Sequence, residues 1–296
     1  IEECMISANI AAAAYLSKHK MPALYRVHEG PKTDRIDDLH EFLKELGLSL
    51  SGGEDPVPKD YAELLIHIHD RPDAHLIQTI LLRSLQRAVY SPERAGHFGL
   101  ALEHYAHFTS PIRRYPDLLV HRGIRHILSG GTADNFTYNE AAMARLGEQC
   151  STTERRADDA TRDVESWLKC EFMMDKVGED FDGTITAVTG FGVFVELDEI
   201  YVEGLVHVTA LDNDFYHFDP ISHCMIGENN VTCFRICDRL KIKVARVDLD
   251  TRKIDFPMLE VLTSSEAYAK RKIASVRKKS KKKSDKKRSG KRSYAK

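Results

Sequence analysis

Near Gly178 the hydrophobic pattern of this chain changes from a helical period to an alternating one, so a single helical or all-strand architecture cannot serve the whole length. Before that point amphipathic stretches run over 36–46, 61–68, 74–90, 116–128 and 153–176. Breakers divide them: Gly52 and Gly53 with Pro56 and Pro58, then Ser91 and Pro92, then Gly130 and Gly131. After it come strand candidates at 181–187, 192–197, 202–208, 240–247 and 253–258. Short strands joined by glycine bends suggest a small barrel of the OB type. A long polar and aromatic connection, 212–238, separates the third candidate from the fourth and reads as a functional or mobile loop. The expected class is α+β: a helix-rich region over 1–178, a five-stranded OB-fold barrel over 179–262, and a basic tail over 263–296. At 296 residues and 42% hydrophobic content, the chain has enough apolar material for two cores.

Charge is distributed unevenly. Of the 43 Lys and Arg residues, 15 fall between Lys270 and Lys296, where Asp285 is the one acid. Such a segment builds no core and repels itself, so disorder is expected there. A run of this kind binds polyanions through counterion release, with little sequence preference. No stretch of apolar residues is long enough for a membrane span, and the start shows no signal-peptide pattern, so a soluble, cytoplasmic protein with no membrane partner is expected. The helical pattern of Ile1, Met5, Ala8 and Ala12 is already running at the first residue, which reads as a start inside an element and hence as a fragment. The six cysteines show no CxxC pair, and free thiols are expected.

Two stretches carry chemistry. In the strand from Gly192 to Leu197, Val193, Val195 and Leu197 share the inward face, so Phe194 points outward. Phe191 precedes it between Gly190 and Gly192, which would let another chain approach closely. His207 alternates with Val206 and Val208 and can also face solvent, while Asp248 and Arg252 lie in the turn between the last two strands. Exposed rings on such a barrel stack unpaired bases. The other reading is that the rings cover the barrel against the long loop and that Asp248 and Arg252 form a turn ion pair. The second stretch contains Pro111 and Pro116, which cannot both lie inside one regular helix, so Pro116 is placed at a helix start with Thr109 to Tyr115 leading in. Arg113 and Arg114 then sit beside free backbone N–H groups, a combination suited to phosphate. A surface arginine pair with acidic partners is the alternative.

The string Ala106-His107-Phe108-Thr109-Ser110-Pro111-Ile112-Arg113-Arg114-Tyr115-Pro116-Asp117-Leu118 closely resembles the signature of the RNB-domain exoribonucleases, the ribonuclease II and ribonuclease R family. Gly99-Leu100-Ala101-Leu102, the opening Glu2-Glu3-Cys4-Met5 with Ala8 and Asn9, and Arg162-Asp163-Val164-Glu165-Ser166-Trp167-Leu168 fit the ribonuclease R branch better. Asp182-Gly183-Thr184-Ile185, then Gly190 to Val195, Gly204 to Val208, Asp248 and Arg252 look like an S1 domain.

The resemblance implies the carboxy-terminal part of an RNB domain over 1–178, an S1 RNA-binding domain over 179–262 and a basic tail. It implies processive 3′→5′ degradation of RNA, structured RNA included, to nucleoside monophosphates. Arg113 takes the position that the family places at the scissile phosphate, with Arg114 beside it as the weaker assignment. Phe191, Phe194, His207, Asp248 and Arg252 match the family's RNA-binding face.

The family's cofactor is Mg²⁺, held by an aspartate cluster in the earlier part of the RNB domain. Its ligands are therefore expected to lie outside this chain, which by itself is expected to be inactive. The local acids Asp34, Asp37, Asp38, Asp158 and Asp159 lie in helical patterns and read as solvated faces, as do His67 and His69. His104 and His107 receive no role, and Trp167 and Phe172 are expected in the core. Single-stranded and structured RNA are the implied partners, with the ribosome and the trans-translation machinery associated with such tails. The competing class is a non-catalytic RNA- or ribosome-binding module that uses the S1 domain and the tail.

Overall fold

The computed structural model describes residues 1–211, 214–229 and 232–263; the basic tail expected from the sequence lies outside them. The chain separates into two compact units, 1–162 and 163–296, with the division inside one long helix.

The first unit opens on α1 (Glu2–Lys18). A short strand β1 (Tyr25–Val27) follows and pairs antiparallel with β2 (Val89–Ser91), Arg26 opposite Tyr90. Between them lie α2 (Thr33–Glu45), α3 (Pro58–Ile68) and α4 (Ala74–Ser84). Each buries one stripe: Ile36, Leu39, Phe42 and Leu43; Tyr61, Leu64 and Ile68; Leu76, Ile77, Ile80 and Leu81. The apolar stretch expected to remain helical to residue 90 ends at Ser84, because the chain becomes extended to form β2. α5 (Tyr115–Leu128) starts one residue before Pro116 and packs on α1 through Ala12, Ala13, Leu16 and Val120. There Gly123 permits close approach, since an added Cβ would lie 3.0 Å from Leu16 Cδ2. α6 (Glu140–Met174) begins well before the expected residue 153 and anchors on the first unit through Met143 and its neighbours.

The second unit is built on a curled sheet. Its strands are β3 (Asp180–Thr189), β4 (Gly192–Leu197), β5 (Glu203–His207), β9 (Arg239–Lys243), β10 (Arg246–Asp248), β11 (Lys253–Asp255) and β12 (Met258–Val261), while β6 (Tyr216–Asp219), β7 (Cys224–Gly227) and β8 (Cys233–Arg235) form a separate three-stranded sheet. The order β10-β11-β5-β4-β3-β9-β12 closes on itself. β9 and β10 are one bent strand and β11 and β12 another: β9 pairs with β12, β10 with β11, and Lys243 N–H to Pro257 O and Ala245 N–H to Asp255 O continue the ladder between them. With β11 parallel to β5, the five expected strands form an OB-type ring. Val193, Val195, Leu197, Val206, Leu240, Ile242, Val244 and Phe256 fill it.

Two expectations change. The 212–238 connection contains β6–β8, whose Cys224, Met225, Cys233 and Phe234 are buried. Trp167 and Phe172 are not core residues: with Val164 and Leu168 they stand on an exposed stretch of α6, at 43% and 52% exposure. No cysteine is in a disulfide. Among the described residues no helix is long and apolar enough to cross a membrane.

Asp238, buried just before β9, accepts the Arg235 N–H, and burial pushes its carboxyl up to about 6. An acid whose folded value is raised contributes stability below its unfolded value of 3.8 and loses it as pH rises through about 6. Asp238→Asn is expected to gain on the order of 2 kcal/mol over the parent at pH above the folded value. That advantage should vanish in acid when urea melts are compared across pH. An advantage that grows in acid would contradict the assignment.

Candidate nucleic-acid interface

The arginine loop turns on Ser110, whose carbonyl accepts from the Arg113 and Arg114 N–H groups at 3.3 and 3.1 Å. Pro111 stiffens the turn and Ile112 stands 97% exposed at its tip. The carboxylate that closes the loop comes from the first turn of α5. Asp117 Oδ1 accepts from the Ser110 N–H at 2.8 Å and from Arg114 Nη2 at 2.8 Å. Arg114 is thereby committed to an intramolecular pair, as the alternative reading held. Arg113 is exposed and makes no ion pair among the described residues.

Arg113 and Arg114 line a cleft of about 440 Å³ with Tyr90, Tyr115, Thr153, Glu154 and Asp158. Behind two of these lining residues, Tyr90 and Glu154, the β1–β2 ladder places a further guanidinium. Arg26 lies over the Tyr90 ring, 4.6 Å from its centroid, and pairs with Glu154 at 2.7 Å. The Tyr90 hydroxyl shares a 2.9 Å hydrogen bond with His107 Nδ1. Burial, joined by the charges of Arg114 and Arg26, pushes His107 down to about 3, and burial pushes Tyr90 up to about 12. Both therefore stay neutral around pH 7, and the fixed positive charge of the cleft comes from arginine alone.

Sequence reading found Arg113, Arg114 and the loop but not Arg26, Tyr90 or Glu154. Tyr90 and Glu154 reach the cleft from β2 and α6, with Arg26 of β1 packed against both, and no local pattern marks a pairing between segments so far apart. A larger recess of about 620 Å³ lies beside His28, His97 and Phe98. There His28 already bonds at both ring nitrogens, to the Gln86 carbonyl and the Gly99 N–H, which leaves less free chemistry than the arginine cleft has. His67 and His69 are exposed, as expected.

On the barrel, Phe191 is 50% exposed and Phe194 half-buried, their ring centroids 6.0 Å apart and edge-to-face. His207 lies opposite Gly192 in the β4–β5 ladder, on the same face as Phe194. Gly192 serves that ladder and not a visiting chain: a Cβ there would stand 2.3 Å from the Val206 carbonyl oxygen. Asp248 and Arg252 do not pair with each other. Asp248 takes Arg246 at 3.1 Å and the Thr251 N–H at 3.0 Å, and Arg252 lies 3.6 Å from Asp163. The structure thus groups Phe191, Phe194 and His207, and sets Asp248 and Arg252 in the β10–β11 turn.

Comparison with known proteins gives the family of each region. Residues 1–130 match the RNB domain family and residues 174–258 the S1 RNA binding domain family. The chain is 51% identical to ribonuclease R of Escherichia coli (strain K12) over 99% of its own length and 36% of that protein's. It is 54% identical to ribonuclease R of Vibrio cholerae over 88% of its length and 33% of that protein's. It therefore spans about a third of the length of these relatives. Mycoplasma genitalium RNase R superposes with a TM-score of 0.78 at 29% identity, over 87% of this chain and 41% of that one. The same protein has been solved in complex with ribose-methylated single-stranded RNA and with double-stranded RNA.

His107 ring signals followed by NMR are expected to stay flat from about pH 5 to about pH 8, since burial holds the imidazole neutral. A midpoint near 6.5 would contradict the buried Tyr90–His107 pair.

Proposed function

The chain belongs to the ribonuclease R family of RNB-domain proteins, and from that premise we propose that it is the RNA-holding part of a processive 3′→5′ exoribonuclease that degrades single-stranded and structured RNA to nucleoside monophosphates. The observation that carries the reading is the exposed Arg113, without an ion pair among the described residues, in a cleft whose other lining arginine, Arg114, is already held by Asp117. In this reading Arg113 meets the scissile phosphodiester and stabilises the negative charge that develops on it. Arg114 contributes background field, because its Nη2 is occupied by Asp117. Phe191 and Phe194 stack bases, with His207, Asp248 and Arg252 along the same barrel. The complexes of the Mycoplasma genitalium relative with two forms of RNA support RNA as the ligand.

Magnesium is the cofactor this family implies, and it would supply a positioned water for attack on the phosphodiester. The donors at hand do not fit it. Among the described residues no group of three or more His, Cys, Asp or Glu is arranged to hold a metal ion. Asp34, Asp37 and Asp38 are exposed on α2, and Asp159 pairs with Arg162. We read the chain by itself as binding RNA without cutting it. The basic run 270–296 favours a second role as an RNA- or ribosome-binding module in the cytoplasm, within reach of the trans-translation machinery, because such a run attracts polyanions by charge alone.

A binding titration of the full chain with 5′-labelled single-stranded RNA tests the reading. Phe191→Ala and Phe194→Ala are each expected to weaken binding by roughly 1–3 kcal/mol. Removal of residues 270–296 is expected to flatten the dependence of affinity on salt. Unchanged affinity in both phenylalanine variants would remove the barrel face from the account, and an unchanged salt slope would remove the tail.

A further inference from the structure

Asp117 is fully buried, with no exposed side-chain surface. A buried carboxylate is costly unless it is paired and its lone pairs are satisfied. Here Oδ1 receives both available donors, the Ser110 N–H and Arg114 Nη2, while Oδ2 makes no hydrogen bond and Arg114 Nε is buried without a partner. If the residue served stability alone, this would be a poor arrangement, because a neutral side chain could cap the turn without carrying a half-satisfied charge inside. Its geometry explains it better. Asp117 joins the two ends of the turn, Ser110 and Arg114, and the Ser110 carbonyl holds the backbone N–H groups of both arginines. With both ends fixed, the side chains between them, Ile112 and Arg113, are the ones left outside.

We propose that Asp117 is a positioning residue that tethers Arg114 and the Ser110 backbone so that Arg113 alone presents its guanidinium to a phosphate. This rests on the reading of Arg113 as the phosphate-binding arginine. Neutralising Asp117 releases Arg114, so that two mobile guanidiniums replace one tethered and one free to meet a ligand.

The test is arginine modification of the full chain by phenylglyoxal, read residue by residue by mass spectrometry, with and without a single-stranded RNA oligonucleotide. In the parent, Arg113 is expected to react and to be protected by RNA, while Arg114 stays unreactive. In Asp117→Asn, Arg114 reactivity is expected to rise roughly tenfold, the size of one charge-assisted hydrogen bond, and RNA protection of Arg113 to fall. Arg122, elsewhere on α5, should react equally in both and so reports intact folding. Identical modification of Arg113 and Arg114 in parent and variant would overturn the proposal. Arg113 that RNA fails to protect in the parent would instead defeat the phosphate reading, while the change at Arg114 still decides whether Asp117 tethers the loop. Should Asp117→Asn not fold, the ¹⁵N spectrum of the parent decides. Resolved, slowly rotating Nη signals for Arg114 beside averaged ones for Arg113 support the tether, and averaging in both overturns it.

Discussion

Charge can be buried in a protein only against opposite charge, and that constraint shapes the arginine cleft. Arg26 and Arg114 leave solvent because Glu154 and Asp117 meet them at 2.7 and 2.8 Å. The first pair ties β1 to α6 beside Tyr90, whose ring lies under Arg26 and whose hydroxyl meets His107, while the second closes the loop that leads into α5. The apolar faces of α1 and α5 bring the elements together through Leu16 and Val120, but the pairs decide which polar groups line the opening. The result is a concave site lined by Arg113 and Arg114 with Glu154 and Asp158, in which Arg113 makes no ion pair among the described residues.

The second unit reaches nucleic-acid chemistry by a different route. Its barrel is held by an aliphatic interior and by two strands that each bend to pair on both sides of the ring. Alternation along β4 then leaves the odd positions inside and puts Phe194 outside, with Phe191 at the mouth of the β4–β5 ladder. Base stacking requires only accessible π-faces, so a surface of this kind holds RNA without reading its sequence.

Much of this was legible in the sequence where the signal is local. The switch near Gly178 marked the change from helix to barrel, the aliphatic alternation of Val193, Val195 and Leu197 fixed the outward face, and the paired prolines placed the arginine loop within one residue. Signals that depend on distant partners were not legible. Arg26 and Tyr90 meet only because β1 pairs with β2 across three intervening helices. The strands β6–β8 are three or four residues long, too short for alternation to stand out in a polar connection. Trp167 and Phe172 have the spacing of a core stripe yet lie exposed, since periodicity reports which residues share a face and not what covers it. Asp248 and Arg252 are close in sequence, but their ion-pair partners are Arg246 and Asp163.

The central proposal is that this chain grips RNA at its own arginine cleft and barrel, while among the described residues no group of three or more His, Cys, Asp or Glu is arranged to hold a metal ion. The most direct test is a gel time course of the chain with 5′-labelled single-stranded RNA and Mg²⁺. The account predicts a retarded complex and an RNA that keeps its full length. Stepwise loss of 3′ nucleotides that Arg113→Ala abolishes would contradict it, by showing that residues of this chain complete a metal site.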